Sequence, residues 1–291
     1  MIKRLLAVLL ALNSVDAIAQ VAFPSLSPMG SINQKVGFTT ISVIYERPAA
    51  RGRKIFGELV PYNKLWRTGA GKCTKIKFDE DVLIGNKSIP AGTYTLFTIP
   101  EDHEWTVIFN SDTALYGTGG YDEQKDLVRL RARANAIDRY YESFTIDVDV
   151  MHNNAAINIS WEKTRVSFEI KTETDKNVAK MVNEQLLSGK IKDPQLLAAG
   201  AEYYYFRSQD LEIGLALVNL ALGIKTSSWY YALKIDILTK SKRYDEAIET
   251  LKLNIAYVKT NPENWTKEQL DQVLKGQETQ MRELRRKSKI N

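Results

Sequence analysis

The spacing of apolar residues changes near residue 175, and this change constrains the fold more than any other feature of the sequence. Before it, apolar and polar residues alternate, as in residues 144–150 and 166–170. A period of two is typical of half-buried antiparallel strands. After it, apolar residues recur every three or four positions, which is typical of amphipathic helices. We therefore expect an α+β chain of two domains, residues 20–174 and 175–291.

The first domain is predicted to be an antiparallel β-sandwich. Its short alternating segments, about nine of them, are separated by turn signals such as Gly85-Asn86-Lys87 and Asn153-Asn154. A β-barrel fits the same pattern, and the sequence leaves both closures open.

The second domain is predicted to be an all-α domain of helical hairpins. Asp193 is an N-cap before a proline, and Thr266 with Gln269 forms a capping box at the start of the last helix. A weak internal repeat places related residues 33 positions apart, and its second copy, residues 243–262, resembles the second helix of a tetratricopeptide repeat. Such hairpins predict a surface that binds a protein partner.

The first 19 residues have the pattern of a signal peptide. Lys3 and Arg4 precede an apolar run at residues 5–12, and Ala17 and Ala19 form a small-x-small cleavage site. The run is shorter than the roughly 20 residues that a membrane-spanning helix needs. We expect cleavage before Gln20, export to the periplasm or the extracellular space, and no membrane span.

Charge is sorted within the first domain. Residues 47–77 contain nine Lys or Arg and a single acid, whereas residues 79–126 contain ten Asp or Glu and two Lys. Two such blocks either pair with each other or form separate surfaces, and mutual neutralisation is the simpler expectation. The net charge of +5 gives no reason to expect binding to nucleic acid.

The basic block contains the side chains best suited to a ligand. Arg47, Arg51 and Arg53 lie close together in the sequence, and Trp66 lies beside Arg67. Guanidinium groups match carboxylate, phosphate or sulfate, and an indole offers a stacking face. The alternative is that these arginines bond backbone carbonyls and that Trp66 belongs to the core.

Residues suited to catalysis are scarce. His103 and His152, the two histidines of the sequence, lie in turn-like segments. Cys73, the sole cysteine, lies near Lys72 and Lys75, whose charges favour a lowered pKa of its thiol, but no base is identifiable beside it, and a structural role is the simpler expectation. We expect no disulfide, no metal site, no cofactor and no Ser-His-Asp triad.

Five segments follow one another in an order that resembles a known family. They are residues 47–70 (RPAARGRKIFGELVPYNKLWRTGA), 89–100 (IPAGTYTLFTIP), 105–110 (WTVIFN), 121–133 (YDEQKDLVRLRAR) and 160–170 (SWEKTRVSFEI). Together they resemble the exported bacterial family Domain of Unknown Function 2911, over about residues 24–171. The resemblance adds Asn110 to the ligand candidates as a motif position, and it implies no established activity.

Two hypotheses about function follow. The first is an exported, non-catalytic binding or scaffolding protein, whose sandwich holds an anionic or carbohydrate ligand and whose helical half binds a protein partner. The second is a hydrolase of cell-envelope material that uses acids of residues 79–126. Because no nucleophile, base or metal cluster is recognisable, we favour the first. Its ligand-binding candidates are Arg47, Arg51, Arg53, Trp66, Arg67 and Asn110.

Overall fold

The computed structural model describes residues 23–290, so the predicted signal peptide lies outside the described residues. Within them the chain divides into two compact units, one ending at Thr174 and the other beginning at Asp175. The first contains a large antiparallel sheet and the second contains helices, which confirms the α+β prediction.

The described part of the first unit contains nine strands in one antiparallel sheet. Their order across the sheet is β1-β2-β3-β6-β7-β8-β9-β4-β5. The strands are β1 (Met29–Val36), β2 (Thr39–Glu46), β3 (Lys75–Phe78), β4 (Val82–Ile84), β5 (Lys87–Ile89), β6 (Gly92–Ile99), β7 (Glu104–Asn110), β8 (Asp126–Met151) and β9 (Asn154–Thr172).

Strand β8 joins the two halves of this sheet. Its first residues pair with β7, and from Ala134 onwards it pairs with β9. The register with β9 shifts between Ala136 and Thr145, so the strand is irregular in its middle. Such bulges bend a strand and increase its twist. One long strand therefore serves two partners in succession.

Both halves of the sheet contribute to one apolar core. The alternation of β2 buries Ile41, Val43 and Tyr45. The Tyr45 hydroxyl donates to the carbonyl oxygen of Ile146 on β8 at 3.0 Å, and its ring meets Phe144 edge-on. Residues far apart in the order of the sheet thus share the same interior.

Aromatic rings fill the part of this core beneath the segment before β3. Trp66 stacks on Trp161 with 6.0 Å between ring centroids and an interplanar angle of 19°. Phe56, Trp105 and Phe144 meet Trp66 edge-on, at centroid distances of 6.3, 6.0 and 5.2 Å. Aromatic contacts of this kind contribute more to stability than the burial of their apolar area alone. They therefore fix the position of the segment that contains Trp66.

The second unit contains six α-helices in the described residues. They are α1 (Thr174–Met181), α2 (Pro194–Arg207), α3 (Leu211–Ile224), α4 (Ser228–Lys240), α5 (Tyr244–Thr260) and α6 (Lys267–Ser288). A π-helical turn, Val182–Leu187, follows α1. The predicted cap at Asp193 and the capping box of Thr266 and Gln269 are both confirmed. None of the described helices is long and apolar enough to span a membrane.

Candidate functional site

A surface cleft of about 330 Å³ brings together four of the six candidate residues. Arg51, Arg53, Trp66 and Arg67 all line it, and we call it the arginine cleft. Its other lining residues include Leu26, Leu59, Val60, Gly69, Ala70 and Trp161. Among the described residues that line it, none is acidic. The cleft therefore combines three positive charges with apolar walls.

Two of the arginines are held by backbone carbonyls. Arg51 has φ +52°, and its Nη2 donates to the carbonyl oxygen of Leu26 at 2.8 Å. Arg53 donates from Nε to the carbonyl of Ala50 at 2.9 Å and from Nη2 to that of Ala49 at 2.7 Å. These bonds use part of each guanidinium and fix its position, as the alternative interpretation of these arginines predicted.

Arg67 differs from both. Its side chain forms no hydrogen bond and no ion pair with any residue in the range 23–290, and its Nε is buried. Its backbone carbonyl accepts from the amide of Thr74 at 3.3 Å. A buried donor without a partner costs about 1–3 kcal/mol, and most such atoms in proteins are paired. Arg67 is therefore a charged group within the cleft whose bonding capacity is unused.

The backbone on both sides of Arg67 is held in an unusual conformation. Trp66 donates its amide to the carbonyl of Thr98 at 2.7 Å and accepts from the amide of Thr98 at 2.9 Å, which ties this segment to β6. Thr68 is buried with φ +57°, and Gly69 follows with φ +152°. A β-branched residue at positive φ is strained, and strain of this kind is concentrated at functional sites.

Trp66 is both a core residue and a wall of the cleft. Its side chain is 8% exposed, and its Nε1 donates to the carbonyl of Gly69 at 3.0 Å. Stacking on Trp161 holds the indole in place. Only an edge of Trp66 is therefore open to a ligand, rather than a full stacking face.

Contrary to the expected neutralisation, no ion pair joins the basic block to the acidic block in the described residues, although the charges of Lys75 and Asp112 attract each other. Within residues 47–77 the ion pair formed is Lys54 with Glu58, at 3.6 Å. Acids of residues 79–126 pair elsewhere: Glu101 and Glu104 both bond Arg131 at 2.6 Å. The reason is that β8 lies beside β7, which places Arg131 next to them. These acids consequently leave the cleft arginines unpaired, and the carboxylate that meets Arg51 is that of Glu142, whose Oε1 accepts from the Arg51 backbone amide at 2.8 Å.

Arg47 lies outside the lining of the cleft. It donates from Nε to the carbonyl of Phe144 at 3.2 Å and from Nη2 to Thr145 Oγ1 at 3.0 Å. Both acceptors are on β8, so Arg47 fastens the end of β2 to that strand.

Asn110 also lies outside the lining, and it is fully buried. Its Nδ2 donates to the carbonyl of Asp122 at 2.9 Å and to Asp126 Oδ1 at 2.7 Å, and its Oδ1 accepts from the amide of Asp112 at 2.9 Å. These bonds fix the connection between β7 and β8. The sequence did not single out Trp161 or Leu26, although Trp161 lies in the motif of residues 160–170.

The potential catalytic groups are not gathered in the cleft. His103 is exposed beside Asp102. Cys73 is buried, its Sγ lies 3.0 Å from the carbonyl of Gly117, and burial raises the pKa of the thiol above its ordinary value despite the opposing effect of Lys75. The expected lowering of this pKa is therefore wrong. No group of three His, Cys, Asp or Glu in the described part of the chain is suited to a metal ion.

Comparison with known proteins identifies the family. Residues 27–170 match the family model described as Protein of unknown function (DUF2911). No curated protein and no solved structure matches the chain. The matched segment includes the whole arginine cleft except Leu26, and it ends before α1. Through residues 27–170 the chain belongs to the DUF2911 family, as the order of its motif segments predicted.

Proposed function

We propose that this member of the DUF2911 family is an exported, non-catalytic binding protein that holds an anionic ligand in the arginine cleft. The observation that carries the proposal is Arg67, a charged side chain with no hydrogen-bond or ion-pair partner in residues 23–290, in a cleft that it shares with Arg51 and Arg53. A ligand oxyanion supplies the acceptors that Arg67 lacks.

Preorganisation supports the same role. Because Arg51 and Arg53 are fixed by backbone carbonyls, little side-chain freedom is lost when they meet a ligand. Leu59 and Val60 provide apolar walls for the body of that ligand, and the edge of Trp66 provides a further contact. A sugar or another small organic group fits these walls.

Export, sheet closure and a protein partner complete the proposal. The signal-peptide pattern of residues 1–19 supports export, and one core shared by both halves of the sheet supports closure as a β-sandwich. Gly214 and Ala247, which are 33 positions apart, are both buried, as the small residues of tetratricopeptide repeats are. On this basis the helical hairpins of the second domain bind a protein partner.

The hydrolase alternative has less support. Glu101, Glu104 and Asp126, acids of residues 79–126, are engaged by the guanidinium groups of Arg131 and Arg129. Bonding to Arg131 holds the pKa of the Glu101 carboxyl below its usual range, so this group is ionised at neutral pH and has no proton to donate.

A ligand screen by thermal shift tests the proposal. The protein without residues 1–19 is melted with panels of glycans, phosphorylated sugars and short peptides. A ligand at a hundredfold excess over its Kd stabilises by about 2.7 kcal/mol, so a modest binder raises the melting temperature measurably. We expect an anionic hit whose effect disappears in Arg67→Gln and persists in Lys64→Gln, which removes an exposed charge nearby. No anionic hit, or equal hits in both variants, would refute the proposal.

A further inference from the structure

We propose that the ligand group held in the arginine cleft is a phosphate monoester. This inference rests on the proposed function and specifies the chemistry of its ligand. Three observations carry it: the charge of the cleft, the number of unused donors, and the size of the space around them.

Charge is the first observation. Arg51, Arg53 and Arg67 line the cleft, and the described residues that line it include no acid to offset them. A carboxylate or a sulfate ester brings a single negative charge, whereas a phosphate monoester brings about 1.5 to 2 at pH 7. Of these groups the phosphate monoester best neutralises three arginines within one small cleft.

Unused donors are the second observation. Arg67 has five N–H donors, and none of them is bonded within residues 23–290. The backbone amides of Gly69 and Ala70, both lining residues, also donate to no acceptor in that range. A phosphate monoester has three terminal oxygens that accept several hydrogen bonds, and a carboxylate has two. The phosphate group uses more of these donors.

The turn that carries these amides has a strained backbone. Thr68 is in the left-handed region, and Gly69 follows it with φ +152°. Gly69 is required for a second reason, since an added Cβ would lie 3.1 Å from the carbonyl oxygen of Glu46 and 3.3 Å from Thr74 Oγ1. This turn follows Arg67 directly, and Gly69 and Ala70 line the cleft together with it.

Size is the third observation. A cleft of about 330 Å³ is at the lower end of the range for ligand sites, about 300–1,000 Å³. It fits a phosphate on one small body, such as a monosaccharide or a glycerol unit, against Leu59 and Val60. The body is either a free metabolite or the terminal unit of a phosphorylated envelope polymer.

Ligands that differ only in their charged group test whether the cleft prefers a phosphate monoester to a carboxylate. Binding of glucose 6-phosphate, glucuronate and glucose to the protein without residues 1–19 is measured by calorimetry at pH 7.5 and at pH 5. The three share a sugar ring and differ in the charged group. Glycerol 3-phosphate and a phosphate-terminated glycan fragment are added to distinguish a free metabolite from a polymer end.

We expect glucose 6-phosphate to bind at least about tenfold more tightly than glucuronate at pH 7.5, and glucose not to bind. At pH 5 its affinity falls, because the second phosphate ionisation, with a pKa of about 6, is reversed. Arg67→Lys keeps the charge but loses the forked donors, so it weakens phosphate binding about tenfold, whereas Lys64→Gln does not.

Two results would overturn the inference. The first would leave the proposed function intact, and the second would refute it as well. If glucuronate binds as tightly as glucose 6-phosphate and depends on Arg67, the phosphate assignment is wrong and the proposed function stands. If neither anion binds and no other anion stabilises the protein, both are wrong.

Discussion

At the scale of single residues, arginines of the same motif have different roles because their partners differ. The side chain of Arg47 donates to Phe144 and Thr145 on β8, whereas the side chain of Arg67 has no bonding partner in residues 23–290. The motif resemblance grouped these arginines together, since it carries no information on partners. Their partners are backbone carbonyls and distant side chains, which only the folded chain brings close.

The bonds of Arg47 predict a structural role. Arg47→Gln should lower the free energy of unfolding by about 1–2 kcal/mol, because it removes two hydrogen bonds from a charged donor in a partly buried position. Urea denaturation measures the change. Lys77→Gln, at an exposed position on β3, serves as the control and should change it little. Equal stability of Arg47→Gln and the wild type would contradict this role.

Cys73 should be unreactive in the folded protein. Burial raises the pKa of its thiol, so the thiolate fraction at pH 8 is lower than that of an exposed cysteine. A disulfide reagent should therefore label Cys73 slowly before unfolding and fast after it. Because the protonated form is favoured by folding, the associated stability is present at neutral pH and is lost as the pH rises through the raised pKa. Equal labelling rates in the two states would be inconsistent with this burial.

At the scale of elements, local signals predicted structure well and long-range pairing was not predictable. The capping box of Thr266 and Gln269 was visible because both residues lie within one helical turn. The 26-residue strand β8 was not, because its alternation is interrupted between Ala136 and Thr145 and its partner changes from β7 to β9. A local apolar alternation with a period of two reveals neither the length of such a strand nor its change of partner.

The turn between β1 and β2 depends on a glycine. Gly37 has φ +56°, and an added Cβ would overlap the side chain of Thr174. Gly85, in the turn between β4 and β5, has φ +55°, but there the nearest atom is an ordinary 3.7 Å away. Gly37→Ala should therefore lower the free energy of unfolding by at least about 1 kcal/mol more than Gly85→Ala, because it adds a clash to the same strain. If urea denaturation gives equal losses of unfolding free energy for the two variants, the Thr174 side chain moves aside at no cost and the prediction is wrong.

At the scale of the whole molecule, the position of the boundary matters for folding. The sequence predicts the end of the first domain at residue 174. The structure adds that Thr172 pairs with Val82 on β4, and that Thr174 Oγ1 accepts from the amide of Phe38 at 3.0 Å. The last residues before the second unit therefore contribute to the first.

Residues 20–175 should fold independently as an all-β protein with a cooperative thermal melt. The alternating strands fill one apolar core without residues of the second unit. A matched chain of residues 20–171 should melt at a lower temperature, because it loses the bonds of Thr172 and Thr174. Circular dichroism measures both. Helical spectra, or a melt of the longer chain that is not cooperative, would contradict independent folding.

The stability of Arg67→Gln without added ligand decides whether Arg67 serves a ligand or the fold. Urea denaturation of this variant, with the wild type and Arg47→Gln as references, gives the free energy of unfolding. We predict a value within about 0.5 kcal/mol of the wild type or above it, because the side chain of Arg67 has no bond within residues 23–290 to lose. A decrease as large as that of Arg47→Gln would show that Arg67 is a structural residue.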